Sequence, residues 1–281
     1  MNTNNVLNTL NWEITTEPVL TFSGQFTNKK AILRQDTGAT LGIVGQDYAP
    51  VYNQQLMGIV DRLTHGGCFR LFGYDTFREG KLIIAYLEYM TKDHNMLGLP
   101  MREYLIIGNS HDGSRPLYAG TGCSLIRCEN QFYSTLEIFR RKHTSRLNIN
   151  DFELDEVILR YREKSKELYT SFEGLDQVRV TNKVVHQLIE EVQASMRNDS
   201  RLANPRENRT YSNSIERLRV SIAREMEALG ENAFGLFNGV TWYTTHEMRE
   251  NNTAFYRVDG AANRINQIAY SFCIALKEWI K

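Results

Sequence analysis

The sequence predicts an α+β protein, in which an N-terminal curved antiparallel sheet with one or two helices is covered by a C-terminal helical half. Three observations predict it. Residues 1–148 hold short runs rich in β-branched and aromatic residues, bounded by Gly, Asn or Asp. Residues 149–281 hold apolar residues recurring every three or four positions. The strand signals precede the helix signals instead of alternating with them, which argues against a parallel βαβ sheet. With 281 residues, 42% of them apolar, the chain can bury a real core. The two halves, 1–148 and 149–281, need not fold independently. A sheet with one apolar face must bury it, and the helices are the available cover.

The elements follow in order. Leu20–Phe26 and Lys30–Arg34 read as strands. Asp36-Thr-Gly38 is a turn between Lys30–Arg34 and Leu41–Val44, so that pair reads as a hairpin. Pro50 keeps Ala49 out of the helical region. Asn53 caps a helix to about Leu63, with Leu56, Ile59, Val60 and Leu63 on one face, and Gly66-Gly67 ends it. Cys68–Tyr74 and Lys81–Tyr89 are strands joined around Arg78-Glu79-Gly80. On the first, Phe69, Leu71 and Gly73 share one face and Arg70, Phe72 and Tyr74 the other. Glu103–Gly108 and Leu117–Arg127 flank the loop Asn109-Ser-His-Asp-Gly-Ser114, and a helix is expected from about Glu129 to Arg141. Four helical stripes follow. The first, Leu154 to Phe172, is separated by Gly174 from the second, Val184 to Met196. The third, Ile215 to Leu229, stops at Gly230, and the last runs from Ile265 to Leu276.

Lys plus Arg and Asp plus Glu each total 33, so the net charge is zero, which excludes a uniformly basic nucleic-acid coat but not a local patch. No stretch approaches the roughly 20 apolar residues of a membrane span, and the N-terminus has no basic start followed by an apolar run. The expectation is a cytoplasmic chain with reduced thiols and no membrane contact. Cys123 and Cys128 lie at a spacing that zinc sites use, but no second Cys/His pair follows. The paired acids Asp155-Glu156 and Glu190-Glu191 lack histidine partners. Neither a metal nor another cofactor is expected. Gly42–Gly45 and Gly235–Gly239 lack the Gly-Lys-Ser/Thr of a phosphate loop. His186 and His246 read as lone helix histidines.

Two features carry possible chemistry. The loop at Asn109 to Ser114 combines His111, which titrates near neutral pH, with Asp112, which can orient an imidazole. If the protein is an enzyme, His111, Asp112 and Asn109 are its catalytic candidates. The same residues also suit a structural turn, because Asn, Asp and Gly hydrogen-bond locally and adopt turn conformations. The second feature is Arg140-Arg-Lys-His-Thr-Ser-Arg146. Between Arg115 and Arg146 lie six basic and two acidic side chains, an excess of four. Arg115, Arg127, Arg140, Arg141, Lys142 and Arg146 are the candidate phosphate contacts, with Phe132, Tyr133 and Phe139 as stacking surfaces. The other reading is a solvated helix end, whose dipole favours cations.

The motifs themselves resemble a known family. Asp36-Thr-Gly-Ala-Thr-Leu-Gly-Ile-Val-Gly-Gln-Asp-Tyr-Ala-Pro-Val-Tyr-Asn53 is similar to the opening block of the phage/plasmid-like family of unknown function, DUF932. Tyr104-Leu-Ile-Ile-Gly-Asn-Ser-His-Asp-Gly-Ser114 is similar to its second block, and Ile126-Arg-Cys-Glu-Asn130 to its third, with Gln131 where the family has Thr. Arg141-Lys-His-Thr144 and Asn238-Gly-Val-Thr-Trp-Tyr-Thr-Thr-His246 resemble the last two. The matching positions include Asn109, His111, Asp112, Gly113, Asn130, His143 and His246. The resemblance implies a protein of phages, prophages and conjugative plasmids acting in the bacterial cytoplasm, without an assigned activity. The fold is loosely similar to single-strand annealing proteins. The leading expectation is a non-enzymatic single-stranded DNA-binding or annealing protein, working as a homo-oligomer in recombination or replication. The alternatives are a counter-defence protein that binds a host defence protein, and an enzyme cleaving phosphodiesters.

Overall fold

In the computed structural model, which describes residues 10–90, 95–125, 130–149, 153–197, 209–248, 258 and 260–279, strands precede helices and the architecture is α+β. The strands are β1 (Ile14–Leu20), β2 (Phe26–Arg34), β3 (Thr40–Gly45), β4 (Phe69–Phe77), β5 (Leu82–Tyr89), β6 (Asn95–Met96), β7 (Leu99–Ser110), β8 (Leu117–Leu125) and β9 (Gln131–Arg141). The helices are α1 (Asn53–His65), α2 (Leu154–Phe172), α3 (Asn182–Arg197), α4 (Arg209–Leu229), α5 (Ala233–Trp242) and α6 (Ala261–Trp279), with a π-helical turn at Tyr243–Glu247. One sheet has the order β1-β2-β3. The other runs β4-β5-β7-β8-β9, with β6 paired to β7. The chain divides into two compact units, Met1–Lys92 with Glu103–Thr121 and Leu136–Lys164, and Asp93–Arg102 with Gly122–Thr135 and Ser165–Lys281.

In the first unit, Ile14, Ile32, Leu41, Leu56, Ile59, Val60, Leu63, Ile83, Leu87, Leu105, Ile107 and Tyr161 form one buried cluster. The helix α1 presents Leu56, Ile59, Val60 and Leu63 to it, as the spacing predicts. Its cap differs from expectation. Asn53 is the first helical residue, and the free amides of Asn53 and Gln54 donate to the Glu13 carboxylate at 3.3 and 2.9 Å. A carboxylate at a helix N-terminus satisfies orphan donors and complements the dipole. In β4 a bulge lies between Leu71 and Gly73. The extra residue resets the alternation, so Phe69 and Tyr74 both face the core and Phe72 is left exposed against Tyr104. The turn after β4 sits at Arg78-Glu79-Gly80, all at positive φ, and Trp12 packs directly over Gly80.

The expected helix at 129–141 is a strand. Phe132 and Tyr133 are adjacent and both buried, as are Ile138 and Phe139. A strand covered on both faces loses its period of two, and its aromatic spacing then imitates a helix.

In the second unit, an aromatic cluster joins Phe132, Phe172, Phe237 and Tyr270, with ring centroids 5.0–6.0 Å apart for the pairs that Phe132 and Phe172 make within it. Helices α4 and α5 are joined by Gly230, at φ 104°, and Asn232 caps α5 by accepting from the Gly235 amide at 2.8 Å. The glycines at 235 and 239 serve this packing. A Cβ on Gly239 would stand 2.4 Å from the Ile222 Cα, and one on Gly235 2.4 Å from the Gly230 carbonyl oxygen. We expect Gly239→Ala to lower stability by about 1–3 kcal/mol through overpacking, although alanine is the better helix former. Gly58 in α1 has open space around its Cβ position. Gly58→Ala is therefore expected to raise stability by about 0.5–1 kcal/mol. Urea denaturation of both variants checks the opposite signs.

Candidate nucleic-acid interface

The loop after β7 is built into the first unit as a polar strut. The Asn109 side-chain amide donates to the Val51 carbonyl at 3.3 Å. Ser110 Oγ donates to the Arg115 carbonyl and accepts from the Arg115 amide, at 2.7 and 2.9 Å, closing the loop. Asp112 accepts from the Ser114 amide at 2.9 Å, and Gly113 takes φ 76°. Gly42 of β3 lies against the Asp112 backbone, so closely that a Cβ would meet its Cα at 2.5 Å.

His111 is fully buried. Its amide donates to the Lys81 carbonyl at 2.8 Å, and its Nε2 lies 3.0 Å from Asn53 Oδ1. The Asn53 amide group donates to the Trp12 carbonyl at 2.6 Å, which leaves Oδ1 as an acceptor and makes Nε2 the protonated nitrogen. Nδ1 then carries a buried lone pair with no hydrogen-bond partner. Burial pushes the His111 pKa down to about 4, the nearby His143 adds to the shift, and Asp112 opposes it. A substrate in solution does not reach this imidazole.

His143 closes the same structure. Its ring stacks on Tyr48 with centroids 4.7 Å apart, and Nδ1 donates to the Ala49 carbonyl at 3.1 Å. Tyr48 pairs with Thr144 in an antiparallel bridge, and its hydroxyl donates to the Ser110 carbonyl at 2.8 Å. Burial lowers the His143 pKa, against the pull of the Ala49 and Arg115 backbone. Three motifs that lie far apart in sequence, 48–53, 109–115 and 143–144, thus meet at one knot.

Beyond the knot the chain forms a groove of 480 Å³, walled by the end of β9, by residues 142–148 and by the start of α2. Its cations are Arg141, Lys142, Arg146 and Arg160, and its acids are Glu153 and Glu156. Arg160 pairs with Glu156 at 2.5 Å. Arg141, Lys142 and Arg146 are exposed, and among the described residues none has an ion-pair partner. Arg140, outside this lining, faces Glu137 at 3.7 Å. Arg115 is exposed on the loop of the knot, apart from the groove lining, and Arg127 lies outside the described residues. Phe132, Tyr133 and Phe139, expected as stacking surfaces, are only 2–5% exposed and belong to the core. Phe139 lines the groove, yet at 5% exposure it presents little of its ring there.

In the second unit, side chains cap the start of β9. The Gln131 amide donates to Thr245 Oγ1 at 3.2 Å, the Asn266 amide group donates to the Gln131 carbonyl at 3.4 Å, and Gln267 donates to the Tyr133 carbonyl at 2.6 Å. Asn130 donates to the Asn238 carbonyl at 3.3 Å. These contacts account for Asn130 and for the Asn238–Thr245 block as edge covers. His246 is exposed and stacks on Trp242 at 4.2 Å, with the Arg224 guanidinium 3.8 Å over the same indole. Glu13, Trp12, Asn266 and Gln267 escape sequence reasoning, and Asn53 reads there only as a helix cap, because their partners lie many residues away and leave no local pattern.

Among the described residues no group of three or more His, Cys, Asp and Glu can hold a metal ion. Cys68, Cys123 and Cys273 are free thiols, and Cys128 lies outside the described residues. No described helix is long and apolar enough to cross a membrane. Searches of the curated proteins and of the solved structures find no match. One family model does match, over residues 40–269, a span that includes the knot and the groove. The chain belongs to the family defined by that model, the domain of unknown function DUF932.

Proposed function

We propose that the chain binds single-stranded DNA without cleaving it, as a binding or annealing protein of a mobile genetic element. One observation carries the reading: Arg141, Lys142 and Arg146 stand exposed on one groove and, among the described residues, without carboxylate partners. Such cations release condensed counterions when they meet phosphates, and this drives binding. Arg140 contributes less, because Glu137 already faces it. The similarity of the sequence motifs to phage and plasmid proteins supplies the mobile-element context. Phosphodiester cleavage has weaker support, since His111 is sealed inside the strut and Asn109 is committed to the Val51 carbonyl.

The test is binding of labelled oligo(dT) to the purified chain across a salt series. Binding is expected to weaken linearly in log K against log salt, the three groove contacts alone contributing about −2 to the slope for a single strand. No binding at low salt, or binding indifferent to salt, overturns the proposal.

A further inference from the structure

The groove supplies charge but no stacking face, and the aromatics expected to provide one are buried. Exposed aromatics stand elsewhere in the first unit, on the β1–β2 hairpin. Phe22 is 111% exposed and Phe26 76%. At about 3.3 Å per residue, Phe26 lies roughly 20 Å along β2 from the buried Ile32. The hairpin therefore projects past the core.

Its tip is ordered. The Thr21 amide donates to the Gln25 carbonyl at 2.8 Å, the Gly24 amide to the Thr21 carbonyl at 2.9 Å, and the Gln25 amide to Thr21 Oγ1 at 3.1 Å. Gly24, at φ 81°, allows the turn. Thr27 Oγ1 fastens the two strands through the Val19 carbonyl at 2.7 Å. The rings are held out on a hydrogen-bonded turn whose other positions are Thr21, Ser23, Gly24 and Gln25, so nothing local requires phenylalanine there.

Charge sits beside them. Lys29 and Lys30 follow on β2, and among the described residues neither has an ion-pair partner. Glu17, on β1, and Asp47, after β3, are the nearest acids in sequence and register. The root of the hairpin joins the groove wall directly. Lys29 pairs with Gly45, the Gln46 amide donates to the Asn28 carbonyl at 3.1 Å, and Tyr48 bridges to Thr144, which lines the groove.

We propose that the β1–β2 hairpin is the base-stacking arm of the same interface. Phe22 and Phe26 would take unpaired bases while Lys29 and Lys30 extend the phosphate track, giving preference for single strands over duplex. This rests on the groove being a nucleic-acid site. A base has a π-face that stacks on an aromatic ring, and a duplex keeps those faces occupied.

The experiment compares the full chain with the double variant Phe22→Ala/Phe26→Ala and with Phe22→Tyr/Phe26→Tyr, on labelled oligo(dT) and on a duplex. The Ala variant should bind oligo(dT) about tenfold or more weakly, keep the wild-type salt slope and solution mass, and bind duplex unchanged. The Tyr variant should bind as wild type. Lys29→Ala/Lys30→Ala should instead flatten the slope by about 1.4. Wild-type affinity in the Ala variant overturns the arm and leaves the groove reading standing. A fall in solution mass with unchanged binding per chain also overturns it, and makes the hairpin a contact between copies. No oligo(dT) binding by the wild-type chain removes both.

Discussion

Replacing Arg141, Lys142 and Arg146 together by Ala is expected to weaken oligo(dT) binding on the order of 100-fold at low salt. Each exposed phosphate contact contributes about 1 kcal/mol, and a loss of about 3 kcal/mol corresponds to that factor. The salt slope should flatten by about 2 at the same time, because three counterion-releasing contacts are gone. Folding should not change, since all three side chains are exposed and, among the described residues, none is in an ion pair. Arg140→Ala alone should do much less, because its charge is shared with Glu137. Replacing Glu153 and Glu156 by Gln should act in the opposite direction, by removing two acids from the groove and releasing Arg160 from its pair. Fluorescence anisotropy across a salt series reads all of these. A triple variant with wild-type affinity and slope would mean that the groove serves something other than a polyanion.

The second large effect concerns stability. His111→Ala should destabilise the fold by about 3–5 kcal/mol, combining a cavity with a buried acceptor on Asn53 left without its donor. The same residue makes stability depend on pH. In the folded chain its pKa is depressed to about 4, from an ordinary value of 6.5. Between these values the unfolded chain takes up a proton that the folded one refuses. The contribution is therefore fully present above about pH 6.5 and is lost as the pH falls towards 4, to a total of about 3 kcal/mol. His143 is shifted in the same direction and adds to the slope. His111→Gln removes one titration, so its urea midpoint should vary less with pH across that window. An alanine variant as stable as wild type would show that the strut bears little of the fold.

The sequence makes the large divisions legible and hides the long-range contacts. The apolar stripes of α1, α2, α3, α4 and α6 fall where the period of three to four places them, because each helix buries one face. Strand β9 reads as a helix because adjacent residues, Phe132 with Tyr133 and Ile138 with Phe139, are buried together, which erases the alternation that identifies a strand. The bulge at Phe72 shifts the inward face of β4 in a way that a strict period of two cannot anticipate. The motif at Asn109 to Ser114 was visible as a dense polar string, but its meaning depends on Asn53 and Trp12, which lie 58 residues from His111 and 41 from Asn53 respectively. Gly235 and Gly239 both lie on α5, against the Gly230 carbonyl and the Ile222 backbone. Their spacing on an apolar helix is a readable sign of a close helix crossing.

The engaged start of β9 bears on whether another strand can add to that edge of the larger sheet. The Gln131 amide and carbonyl and the Tyr133 carbonyl are already answered by Thr245, Asn266 and Gln267, so at the start of β9 an incoming strand meets backbone that is engaged. A strand added at that end of the larger sheet must first displace those three side chains, each of which answers a main-chain group.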